Sequence, residues 1–123
     1  MAGALTISTL NDSNGVLATQ NGMTGIARAW ANFAGASGTV NSSFNISSIT
    51  RNGAGDYTAN FTTAMPNANY ALSGAGSQND NSSIACVTAN STTYSTTSIR
   101  FHVSYSNGLV TDFPIVNIAV HGA

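Results

Sequence analysis

The stretch from Ser43 to Leu72 does most to limit what this chain can become. Phe44 and Ile46 alternate with polar neighbours, and further on Tyr57, Ala59 and Phe61 do the same. A two-residue period puts alternate side chains on one face of a sheet. Between the two runs stands Arg51-Asn52-Gly53-Ala54-Gly55, whose glycines permit the positive φ of a tight hairpin. Pro66 cannot donate to a strand ladder, so Met65-Pro66-Asn67 reads as a connection. The stretch predicts a β-meander.

Composition supports strands throughout. Charged residues are only 6% of the 123 residues, and both Lys and Glu are absent. Those two are favoured on helix surfaces, so their absence argues against a helical protein. A chain of this length is expected to form one domain that buries roughly two-thirds of its extended surface. The net charge of −1 leaves no basic footprint for nucleic acid. It also provides little repulsion between copies, which favours self-association. Cys86 is the sole cysteine and is expected as a small buried hydrophobe. No basic and apolar leader opens the sequence, and no apolar run nears the roughly 20 residues of a membrane span. Sec-type export and membrane insertion are therefore not expected.

Residues 1–25 are read as an arm or attachment segment, with a short strand at Leu5 to Ser8 and a turn at Asn11 to Gly15. Residues 26–123 are read as the folded domain. From Ile26 to Phe33, alanines and Phe33 share one parity, while Arg28, Trp30 and Asn32 share the other. A strand is preferred over a helix because Gly35 to Gly38 resembles a hairpin connection. Trp30 is expected as a core or interface anchor. Ser73 to Ser83 and Asn90 to Ser98 read as polar loops, with a short strand from Ile84 to Val87 between them. Ile99, Phe101, Val103 and Tyr105 alternate strictly and predict the clearest strand. Asn107-Gly108 then predicts a hairpin, Leu109 to Phe113 a returning run, and Val116, Ile118 and Val120 a final strand. The fold class is all-β: an antiparallel, jelly-roll-like β-sandwich of short strands.

Several of these residues carry a resemblance. Gly38-Thr39-Val40, the strings SFNISSIT and NGAGDYTANFTTAMPNANYA, and an apolar last strand ending His121-Gly122 resemble a small domain of tailed-bacteriophage fibre proteins. Arg28-Ala29-Trp30-Ala31-Asn32-Phe33 is similar to that family's K-A-W-V-N-F, with Arg28 at the Lys position and Ala31 at the Val position. The resemblance spans Gly25 to Gly122. It implies a homotrimeric virion structural protein at or near a fibre tip, made in the host cytoplasm and carried on the particle surface. The implied partners are other virion proteins, through the N-terminal segment, and a host-surface glycan or outer-membrane component.

Little in the sequence points to catalysis. Ser, His102 or His121, and Asp112 can be assembled into a triad on paper, but serine is too abundant for that to carry weight, and no G-x-S-x-G elbow is present. Asp56, beside Gly55, reads as a turn-capping residue. Cys86, His102 and His121 lack metal-ligand spacing, so neither a metal nor a cofactor is expected. A histidine on a trimer axis would become three ligands, yet His102 reads more simply as exposed or hydrogen-bonded. Uncharged polar loops with an occasional Tyr suit recognition of neutral glycans or proteins. Gln78, Asn79, Asp80, Asn81 and Tyr94 are therefore the expected receptor-binding residues. An architectural head-fibre, decoration or assembly protein without a ligand is the alternative.

Overall fold

The structure, a computed structural model, describes residues 3–13, 15–18, 26–78 and 85–122. Those residues hold ten strands and no helix. β1 (Thr9–Asp12) and β2 (Gly15–Ala18) pair as a two-stranded hairpin. The remaining strands are β3 (Ala27–Phe33), β4 (Val40–Phe44), β5 (Ile46–Gly53), β6 (Asp56–Phe61), β7 (Tyr70–Ser77), β8 (Ala85–Tyr94), β9 (Ser98–Tyr105) and β10 (Ile115–Gly122). They form two antiparallel four-stranded sheets, ordered β4-β3-β10-β7 and β5-β6-β9-β8. The fold is thus all-β and consistent with a β-sandwich.

The inward faces follow the period of two. Ala29, Ala31 and Phe33 of β3 meet Val116, Ile118 and Val120 of β10 on one side of the core. Tyr57, Ala59 and Phe61 of β6, with Ile99, Phe101 and Val103 of β9, form the other side. Phe33 joins the layers: its ring centroid lies 5.0 Å from Tyr57 and 6.3 Å from Phe101, both edge-on. Edge-to-face rings are the favoured arrangement of aromatic quadrupoles. Burial of this cluster is the main stabilising term.

The stretch Ser43 to Leu72 is not one meander. Asn45 takes a left-handed conformation, φ 54°, between β4 and β5. That single residue turns the chain out of one sheet and into the other, so Phe44 faces solvent while Ile46 enters the core. Asn tolerates this conformation better than most residues. The hairpin after Arg51 forms as expected, closing through Ala54-Gly55, with Gly55 at φ 64°.

Other departures have local causes. Leu5 and Ile7 precede β1 and are exposed, and Asn11 and Asp12 end that strand rather than forming the turn. Ser73 to Ser77 belongs to β7, paired along its length with β10. Its glycines are packing residues: a Cβ on Gly76 would lie 2.8 Å from the Phe113 ring and 3.0 Å from Ala85 Cβ. Asn90 to Tyr94 continues β8, but four residues of β8 pass against one of β9 between the pairs Ala89–Phe101 and Tyr94–Ile99. The polar excess bulges out and is held by Asn90 and Thr93 side-chain bonds. After Asn107-Gly108 the return is a single bridge, Ser104 to Val110, rather than a strand. Cys86 is half-buried in β8, not fully enclosed.

Candidate functional site

The Asn45 crossing also builds a groove. Three pieces meet there: the start of β3, the end of β4 and the segment 62–66 after β6. The Asn45 amide holds them together. Its Nδ2 donates to the carbonyls of Arg28 and Thr63, 3.1 Å each, and its Oδ1 accepts from the Thr63 amide at 2.7 Å. Its own carbonyl accepts from Thr62 N–H at 3.1 Å. The amide is spent on the scaffold, so the groove's shape depends on it.

The groove has a volume of about 610 Å³ and walls that are mainly apolar. Ile26 and Phe44 stand on its rim, 63% and 55% exposed, and Met65 and Pro66 close the far side. Thr62 and Thr63 add hydroxyls. Arg28 lines the groove and makes no ion pair among the described residues. Its Nε is buried with no hydrogen-bond partner. A buried, unpaired guanidinium donor is costly, and native structures seldom keep one without a reason.

The other arginines are paired. Arg51 grips Asp112 through Nε at 3.2 Å and Nη2 at 2.6 Å. Asp112 also accepts from Gly55 N–H at 2.8 Å and from the Tyr57 hydroxyl at 2.7 Å. Burial raises the Asp112 carboxyl, but the Arg51, Gly55 and Tyr57 bonds outweigh it and leave the pKa below the ordinary value. The Asp112 carboxylate is therefore a joint between loops. Arg100 binds Asp56 in the same forked way, at 3.0 and 2.6 Å, and His102 Nε2 lies 3.5 Å from Asp56 Oδ2. The Arg100 bond, against burial, holds Asp56 down at about 2. Asp56 is thus an ion-pair partner instead of the turn cap expected from its place beside Gly55.

The sequence-predicted residues are dispersed. Gln78 follows β7 and donates through Nε2 to the Tyr105 hydroxyl at 2.6 Å. Tyr94 lies at the other end of β9, opposite Ile99, with its ring 5.1 Å from Tyr70. The six strand steps between Ile99 and Tyr105 span roughly 20 Å. Asn79, Asp80 and Asn81 lie outside the described residues. The two-residue period hides the groove from sequence reasoning, because it puts Phe44 on one face with Ile46 and gives Arg28 no more than a strand parity. The available signal was sparse: three arginines face four aspartates, and nothing in their spacing says which one is left over. Compared with family models, curated proteins and solved structures, the chain matches none of them, so fold and groove rest on its own residues alone.

Proposed function

We propose that this chain is a virion surface protein of the tailed-phage fibre type, a homotrimeric tip domain that binds saccharide on the host surface. The groove at the Asn45 crossing carries the binding part of this reading. Its volume falls in the range of small-ligand sites, and it combines apolar walls with a few polar groups. A sugar presents the same mixture: C–H faces for Phe44 and Pro66, and hydroxyls for Thr62 and Thr63. The fibre part is supported by the resemblance, whose span from Gly25 to Gly122 coincides with β3 to β10. Other virion proteins would be reached through the N-terminal segment, and no catalysis, cofactor or nucleic acid enters the reading.

Glycan-array and whole-cell binding test it. Phe44→Ala is expected to abolish or weaken binding at least tenfold, with Gln78→Ala and Tyr94→Ala compared alongside. Binding that resists Phe44→Ala but falls with Gln78→Ala or Tyr94→Ala would move the site to the residue that lowers it.

An architectural role without a ligand has one observation in its favour. Trp30 and Phe44 are register partners on the outward face of their sheet, both exposed. Such a pair suits a subunit contact as well as a ligand. Immunogold labelling of virions separates the readings, since signal confined to the capsid favours decoration.

A further inference from the structure

We propose that the groove prefers saccharides carrying a carboxylate, with Arg28 as the group that reads the charge; this rests on the saccharide-binding reading above and narrows it.

The argument begins with charge. Arg51 and Arg100 each close a forked contact on an aspartate, 2.6 Å at the shortest. Arg28 has no carboxylate partner among the described residues and lines an open groove. The guanidinium is always charged and presents a planar fork that matches a carboxylate. Its Nε is withdrawn from water, and so from a ligand as well, which leaves the Nη groups of the fork to meet a carboxylate. A neutral sugar hydroxyl can accept one bond there but cannot neutralise the charge.

Geometry gives the second support. Asn45 Nδ2 bonds the Arg28 carbonyl, which fixes the backbone from which the side chain extends. Phe44 and Ile26 stand exposed beside it without apolar cover, as a ring face awaiting a sugar would. Charge and apolar wall are therefore adjacent, which is the pattern of a uronic or sialic acid residue: a carboxylate on one edge of an otherwise neutral ring. The Asp56–Arg100 pair offers no comparable site, because the Arg100 guanidinium is already engaged with the Asp56 carboxylate.

The test uses the intact chain on immobilised uronate- and sialate-containing oligosaccharides, each beside its carboxyl-reduced counterpart. The carboxylated forms are expected to bind at least tenfold tighter, and that preference is expected to shrink as salt is raised. Arg28→Gln is expected to erase the preference, bringing the carboxylated form down to the level of its carboxyl-reduced counterpart. Arg28→Lys is expected to restore only part of it, because an ammonium lacks the fork. Phe44→Ala is expected to weaken carboxylated and neutral forms alike. Equal binding of the two forms by the unaltered chain overturns the carboxylate preference and leaves the saccharide reading standing. Binding of no saccharide overturns both. An Arg28→Gln variant that loses thermal stability, or changes mass in light scattering, overturns the proposal by showing that Arg28 serves the chain itself or a subunit contact.

Discussion

At the scale of single residues, Asp112 and Asn45 do similar work at opposite ends of the sandwich. β3 and β6 each run from one end to the other. β3 starts at the groove and leads to Gly35, while β6 starts beside Gly55 and ends at Phe61, just before Thr62. Asp112 ties Arg51, Gly55 and Tyr57, and the Tyr57 hydroxyl also lies 3.0 Å from the Gly35 carbonyl. Replacing Asp112 with Asn keeps the size and removes the charge that three donors share. Asp112→Asn is expected to cost about 2 kcal/mol in urea unfolding. Acid should act on the same bonds. Asp56 and Asp112 both have folded pKa values below the ordinary 3.8, so the unfolded chain binds more protons near that pH. Their contribution is fully present above about pH 4 and is lost as pH falls, through about 2 for Asp56. Thermal melts between pH 5 and 2 are expected to show a falling midpoint, with a shallower fall in Arg100→Gln. A midpoint indifferent to pH in this range would refute the assignment.

At the scale of elements, β7 shows how a glycine-rich run becomes a strand. Ser73 to Ser77 has no large side chain to bury, and alternation is invisible in it. Its pairing with β10 supplies the ladder, and Gly76 lets β7 sit close to Phe113 and Ala85. Gly76→Ala is expected to destabilise by about 1–3 kcal/mol through overpacking. Gly53, in β5, has open space where a Cβ would go and no positive φ. Gly53→Ala is therefore expected to be neutral or to stabilise by up to about 1 kcal/mol. Chemical denaturation of the two variants side by side checks the contrast.

At the scale of the whole molecule, one sheet face stands out. Trp30 is 38% exposed and points away from the core, which removes the core half of its expected role. Beside it runs a ladder of amides, Asn41 to Asn32 at 2.9 Å and Asn32 to Asn117 at 2.5 Å, crossing three strands without a charge. Arg28 closes one end of this face at the groove, and the amides and Trp30 beyond it are suited to contact another copy. The proposed trimer is expected to appear in light scattering at three times the 12.5 kDa chain mass. Trp30→Ser is expected to lower that mass while far-UV circular dichroism stays unchanged. A wild-type chain that is monomeric at micromolar concentration would defeat the homotrimer.

Local alternation in this sequence decided that the chain is built of strands and which side chains of β3, β6, β9 and β10 face inward. That information is carried by neighbours two residues apart, where the pleat alone sorts apolar from polar. The sheet each strand joins was decided by contacts far along the chain. So was the partner of each arginine: Arg51 meets Asp112 across 61 positions, and Arg100 meets Asp56 across 44. No period records such distances. The groove belongs to the same class of facts. It exists because one left-handed asparagine turns the chain between sheets and leaves Phe44 outside and Arg28 without a carboxylate among the described residues.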